Sequence, residues 1–174
     1  MNHNYQKDIS GCGLTGLISR KRRRISGSEI VKSLCLMTDR GNGLGAGYAA
    51  YGIYPDFKDF YAFHIMYDEP TVKRTVEDYL KSNYHIEKVE EIPTKAVKAI
   101  PISPMLVRYF VSPLKERLAG EQEETDFVVN TVMKVNSEID GAYIFSSGKN
   151  MGAFKGVGSP EEIAWRNGFI DTDQ

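Results

Sequence analysis

Cys12 follows a short polar leader and opens a glycine-punctuated apolar stretch, Asp8-Ile9-Ser10-Gly11-Cys12-Gly13-Leu14-Thr15-Gly16-Leu17-Ile18. A thiol placed this way can be a stored nucleophile. Cleavage of the Gly11–Cys12 bond would give Cys12 a free α-amine, with a pKa of roughly 7.7–8.0. One residue would then supply both the attacking sulfur and the base that takes its proton. The same residue also fits the ordinary fate of a free cysteine, a small buried side chain. Spacing alone favours that second reading.

Other residues with chemical potential are fewer. Asp39-Arg40-Gly41-Asn42-Gly43-Leu44-Gly45-Ala46-Gly47 is dense in glycine, which implies unusual backbone angles or close backbone approach. It precedes a strand instead of opening a helix and lacks a Lys-Ser/Thr ending, so it does not read as a phosphate cradle. Asn42-Gly43 by itself reads as a turn. His3, His64 and His85 are scattered, and no His, Cys or carboxylate cluster has metal-ligand spacing. Cys35 falls on the inner face of a helix and reads as structural.

The elements that must position these residues follow from periodicity. A short strand is expected over 13–19, and Arg20-Lys21-Arg22-Arg23-Arg24 reads as a solvated turn between two strands. Ser26 and Glu29 have capping-box spacing, and Ile30, Val31, Leu34 and Cys35 share one helical face. This helix should stop near Gly41, with a strand from Tyr48 to Tyr54. Phe60 to Tyr67 is apolar on both faces, the pattern of an internal strand, and His64 within it reads as a hydrogen-bonded core histidine. A helix carrying Val72, Val76, Tyr79 and Leu80 and a strand from Tyr84 to Ile92 should follow. After a proline-marked loop come a strand from Met105 to Val111 and a helix with Val128, Thr131, Val132, Val135 and Ile139 facing inward. A strand over Ala142–Phe145 closes the unit. The strand and helix order predicts a split, ferredoxin-like α+β unit over residues 58–146. Ser146 to Gly158 reads as a glycine-rich hairpin, and Pro160 to Trp165 as a short helix.

Composition restricts the classes. The chain has 174 residues, 22 Lys and Arg against 23 Asp and Glu, and a net charge of -1, so no global field favours nucleic acid or an anionic membrane. No apolar run approaches the roughly 20 residues of a membrane span, and the N-terminus lacks a secretory signal. Two cysteines cannot form a disulfide framework and read as reduced thiols. A cytoplasmic protein is the expectation.

Three segments in order carry a resemblance: Cys12-Gly13-Leu14-Thr15-Gly16, Asp39 to Gly47, and Ser147-Gly148-Lys149-Asn150-Met151-Gly152-Ala153-Phe154-Lys155-Gly156-Val157-Gly158. Together they resemble the class II glutamine amidotransferases, which are N-terminal nucleophile hydrolases. The branch they resemble is the amidotransferase subunit of archaeal-type glutamate synthases. The first segment looks like the nucleophile motif, the second like the arginine–glycine loop, and the third like the glycine–lysine–asparagine–methionine segment of that branch.

The resemblance implies an αββα sandwich, incomplete in this chain, with the 58–146 unit inserted. Residues 1–11 would be a propeptide and 12–174 the N-terminal portion of the amidotransferase domain. Cys12 would be the catalytic nucleophile releasing ammonia from glutamine, with Arg40 and Gly41 in a pocket-lining or structural role. No metal or cofactor is expected in this chain. Flavin and iron–sulfur clusters are expected only on a partner glutamate synthase subunit. The family's arginine segment for the substrate carboxylate, its Asn-Gly oxyanion pair and its aspartate for the substrate amine all lie beyond the Gly-Val-Gly segment. Residues 159–174 carry none of them, and Asn167-Gly168 stands too early. The chain alone is therefore expected to be inactive, needing the C-terminal part of the domain or a completing subunit. The alternative is a non-catalytic amidotransferase-like interaction or small-molecule-sensing domain.

Overall fold

A strand whose side chains are apolar in both directions must be covered on both faces, and Tyr61–Tyr67 is such a strand. It lies inside a four-stranded antiparallel sheet, flanked on one side by Met105–Pro113 and on the other by Ala142–Ser146. The described residues of the computed structural model are 11–21, 23–41, 44–94, 104–118 and 123–166. They form a mixed α+β chain with two sheets, both antiparallel, and four α-helices. The helices are α1 (Gly27–Cys35), α2 (Pro70–Asn83), α3 (Glu124–Glu138) and α4 (Pro160–Arg166). The strands are β1 (Ala46–Tyr51), β2 (Tyr61–Tyr67), β3 (Tyr84–Glu91), β4 (Met105–Pro113), β5 (Ala142–Ser146) and β6 (Met151–Gly156). Two compact units divide the chain, Met1–Tyr48 with Lys155–Gln174, and Ala49–Phe154.

In the Ala49–Phe154 unit, the order β2-α2-β3-β4-α3-β5 and the sheet order β3-β4-β2-β5 make the split βαβ arrangement. Alternation places Phe63, Ile65 and Tyr67 of β2 on the same face as Val107, Tyr109 and Val111 of β4. Val76 and Leu80 of α2 and Val128 and Val135 of α3 close over that face in one apolar cluster. Pro70 occupies the first turn of α2, where its missing N–H costs nothing, and Tyr84 leads directly from α2 into β3. The opposite face carries Ala62, His64, Arg108 and Phe110. There Phe57 stacks on Phe110, with ring centroids 4.2 Å apart.

The outer edge of β5 is closed by a side chain. The Ile144 N–H donates to Asn136 Oδ1 at 2.7 Å, and Asn136 Nδ2 donates to the Ile144 carbonyl at 3.1 Å. The amide thus behaves as one residue of a neighbouring strand and occupies an edge that would otherwise accept one.

Several elements differ from their expected form. Residues 13–19 form no strand and pair with none among the described residues, so the basic run does not join two strands. Arg20 and Lys21 form a turn, and the chain then runs into the N-cap of α1 at Ser26. Residues 146–158 are not a hairpin: β6 leaves β5 and pairs with β1 in a two-stranded sheet. Gly148 (φ 151°) and Asn150 (φ 54°) turn the chain from one sheet to the other. A Cβ at position 148 would also lie 2.6 Å from the Met151 side chain. The first strand, Ala46–Tyr51, begins two residues earlier and ends three residues earlier than its expected 48–54 span. Residues 1–10, Asn42-Gly43, the loop prolines Pro101 and 95–103 generally, and 167–174 lie outside the described residues.

Asn136→Ala leaves the Ile144 N–H and carbonyl unpaired. The expected loss is about 1–3 kcal/mol of stability, read as a lower urea midpoint with an unchanged slope.

Candidate active site around Cys12

Residues 11–16 alternate between half-buried and exposed, as an extended segment lying on a surface does. Gly11, Gly13 and Thr15 face inward; Cys12, Leu14 and Gly16 face outward. The inward face rests on α1 and the turn that follows it. Thr15 Oγ1 and Ser33 Oγ of α1 are 2.6 Å apart. A Cβ at position 13 would lie 2.6 Å from Met37 Cβ and 3.1 Å from the Met37 carbonyl oxygen. A Cβ at position 11 would lie 2.5 Å from the Arg40 carbonyl oxygen. Backbone approach this close excludes any side chain at either position. The glycines on both sides of Cys12 are therefore required by the Met37–Gly41 segment beneath them.

That segment exists because α1 ends in stages. Ser26 caps the helix through the Ser28 N–H, and the last residue is Cys35. Thr38–Arg40 then form a 3₁₀ turn, closed by N–H bonds from Arg40 to the Met37 carbonyl and from Gly41 to the Thr38 carbonyl. The turn presents the Arg40 carbonyl to Gly11. The Arg40 side chain is exposed and makes no hydrogen bond or ion pair among the described residues. Cys12 and Arg40-Gly41, separated by 28 positions in the chain, thus belong to one local surface. Cys12 is exposed, against the expectation for an ordinary free cysteine. Its neighbours outward are apolar as well: Leu14 is 91% and Ile18 90% exposed.

The second thiol behaves differently. Cys35 is half-buried against a small core of Val31, Tyr48, Ile163 and Ala164. Burial first, and the Glu161 carboxylate beside it, push its thiol above the ordinary range, away from the reactive thiolate. Tyr48, pushed up to about 12 mainly by burial, donates to the Pro160 carbonyl at 2.8 Å and ties β1 to α4.

The third family-like segment has its own local contacts. Lys149 Nζ bonds Glu124 at 2.8 Å and lies over the Tyr61 ring. Asn150 Oδ1 accepts from the Tyr54 N–H at 2.9 Å, and its carbonyl accepts from the Gly52 N–H. Tyr54 leads into a buried polar chain on the second sheet face. Arg108 donates to the Tyr54 hydroxyl at 3.0 Å, and that hydroxyl donates to His64 Nε2 at 2.7 Å. With the Tyr54 hydroxyl donating to Nε2, the His64 imidazole is neutral and its proton lies on Nδ1, toward the Ser146 backbone. Arg108 is also clamped to Glu90 through Nε and Nη2. Burial, and then the Arg108 charge, hold His64 down at about 3. It serves as a neutral anchor for the 52–60 loop.

Cys12, Arg40 and Gly41 stand out as candidates from local sequence, whereas the seating of the Cys12 segment by Thr15, Ser33 and Met37 does not. A hydroxyl on the inner side of α1 at Ser33 was the available signal. Arg108, an arginine inside an otherwise apolar strand, likewise marked the His64 anchor. Among the described residues no cluster of His, Cys, Asp or Glu could hold a metal ion. No helix among them is long and apolar enough to cross a membrane.

No protein-family model matches the chain. Over 160 residues it is 46% identical to a protein of Archaeoglobus fulgidus described as uncharacterized, with 91% of this chain and 42% of that protein in the match. The chain spans less than half the length of this relative.

Gly13→Ala is expected to lower stability by roughly 1–3 kcal/mol, the usual cost of overpacking, whereas Gly16→Ala, with nothing within 4 Å, is neutral. Urea unfolding of the two variants checks the pair. His64 gives a pH dependence of defined sign. Its folded pKa lies below the ordinary 6.5, so the unfolded chain binds a proton that the folded chain refuses. Stability is then lost as pH falls from about 6.5 toward 3, by about 1.4 kcal/mol per unit. This slope should vanish from unfolding curves of His64→Gln.

Proposed function

We propose that the chain carries the nucleophile portion of a class II glutamine amidotransferase, with Cys12 as the attacking residue. The observation that carries this reading is the seating of the Cys12 segment on the Met37–Gly41 turn. Two of the three family-like motifs meet there, and Gly11 and Gly13 are the only residues that fit around the thiol. The third motif begins at the turn into β6, whose partner strand β1 begins within the second motif.

In this reading residues 1–11 are a propeptide, and hydrolysis of the Gly11–Cys12 bond frees the Cys12 α-amine. The amine takes the thiol proton, and the thiolate attacks the side-chain amide carbon of glutamine. Collapse of the tetrahedral adduct expels ammonia, which leaves with the proton held by the α-ammonium group. Water then cleaves the γ-glutamyl thioester, giving glutamate and returning the thiol. Arg40 and Gly41 border the site. The groups that grip glutamine and its oxyanion come from polypeptide beyond these 174 residues. The Archaeoglobus relative, more than twice as long as its matched region, is consistent with such an extension. The ammonia passes to a synthase site, glutamate synthase being the acceptor that the resemblance favours, on a partner subunit that carries the flavin and iron–sulfur clusters. The sandwich of an N-terminal nucleophile hydrolase and a cytoplasmic location belong to the same proposal.

Mass spectrometry of the native protein should find the mature chain beginning at Cys12. A glutamine-analogue electrophile should label that residue, and ammonia release from glutamine should fall by at least about 10³-fold in Cys12→Ala. A retained leader together with an unlabelled Cys12, or ammonia release that survives Cys12→Ala, overturns the proposal.

A further inference from the structure

A second site lies in the Ala49–Phe154 unit, where α2 passes the outer strand β3. A groove of about 450 Å³ opens there, within the range of small-molecule sites, and Glu77 and Lys81 of α2 stand on its wall. Its floor is apolar, and a β-bulge makes it so. The register of β3 on β4 shifts between Ile86 and Lys88, pairing Ile86 with Val111 and Val89 with Tyr109. Both partners face the helices, so Ile86 and Val89, three positions apart, share that face. Val89 is left 45% exposed. Leu114 completes the apolar lining.

The polar groups on the wall are unevenly used. Lys73 Nζ and the Tyr109 hydroxyl both bond Glu77 Oε1, at 2.5 and 3.1 Å, so Oε2 keeps its acceptor capacity. Burial pushes the Glu77 carboxyl up, but the hydrogen bonds from Lys73 and Tyr109 together with the Lys73 and Lys81 charges outweigh it and hold the carboxyl below its ordinary range. His85 at the rim is engaged by Glu87 at 3.2 Å. Lys81 makes no ion pair within 4 Å among the described residues, and its charge faces the Glu77 carboxylate one turn away. Positions 77 and 81 are one helical turn apart, so the free Glu77 Oε2 and the Lys81 ammonium, which already feel each other's charge, stand on one wall about 5–6 Å apart at Cβ, above an apolar floor.

We propose that this groove binds a free α-amino acid with an apolar side chain. The ligand's ammonium group meets Glu77 Oε2, its carboxylate meets Lys81, and its side chain lies on Ile86, Val89 and Leu114. An α-amino acid fits because it carries both charges on one carbon with an apolar body projecting from it. A fatty acid would leave Glu77 facing apolar surface, and an amine would leave Lys81 unanswered. The site uses none of the Cys12 chemistry and holds or fails independently of it.

Titration of the whole chain with L-leucine, followed by calorimetry and by methyl resonances of Ile86, Val89 and Leu114, tests the assignment. Saturable binding with shifts at those three residues is expected. Affinity should be at least about tenfold weaker for leucine amide and for 4-methylpentanoate, each lacking one charge. Lys81→Met should weaken leucine to a similar degree, and because Lys81 is exposed its loss leaves the fold intact. Glu77→Gln should also weaken it, with the thermal midpoint reporting any loss of the Lys73 and Tyr109 contacts. Absence of saturable binding, shifts elsewhere in the chain, or equal affinity for leucine in Lys81→Met overturns the proposal.

Discussion

Burial of β2 on both faces governs the Ala49–Phe154 unit. Every residue from Tyr61 to Ile65 is buried, so the sheet cannot leave either face to water. Helices α2 and α3 close one side with an ordinary apolar layer. The other side has no α-helix among the described residues and is covered by Tyr54, the 3₁₀ turn Pro55–Phe57 and Phe154. His64 lies on that second face, and its imidazole needs a partner there. Tyr54 provides it, Arg108 orients Tyr54, and Glu90 neutralises Arg108. A single polar residue in the middle of the central strand thereby fixes the loop that covers it. The same loop is stitched to Asn150, so the turn that sends the chain into β6 depends on the same face.

The Cys12 segment is held by the opposite economy of groups. It has no strand partner among the described residues, and its position comes from one hydroxyl pair and two glycines against the Met37–Gly41 turn. Such a seat fixes where the segment lies while leaving its outer face, with Cys12, Leu14 and Ile18, uncovered. An exposed thiol and exposed aliphatic side chains thus share one face of the segment.

Much of the α+β unit was legible. The 3.6-residue spacing of Val72, Val76 and Leu80, and the two-faced apolar run in β2, are local patterns that a folded chain can hardly disobey. Cys12 was legible as a candidate because the glycines around it are local too. The amino-acid groove was not. Nothing in the local spacing singles out Glu77 and Lys81, and only the β3 bulge, which places Val89 on the helix-facing side, gives that surface an apolar lining. The 146–158 segment misled for a related reason: glycine-rich residues between two apolar runs look like a hairpin whether or not the second run returns to the first.

What the sequence determined by itself was the identity and inner face of nearly every helix and strand, because period and burial are set residue by residue. It also marked which thiol follows a leader and which lies in a helix core. Tertiary structure alone decided that residues 13–19 stay unpaired, that β6 joins β1 instead of β5, and that Cys12 and Arg40-Gly41 share one surface. Those outcomes depend on which edges and carbonyls come within hydrogen-bond or van der Waals distance. That is a property of the packed chain, for which local spacing carries no signal.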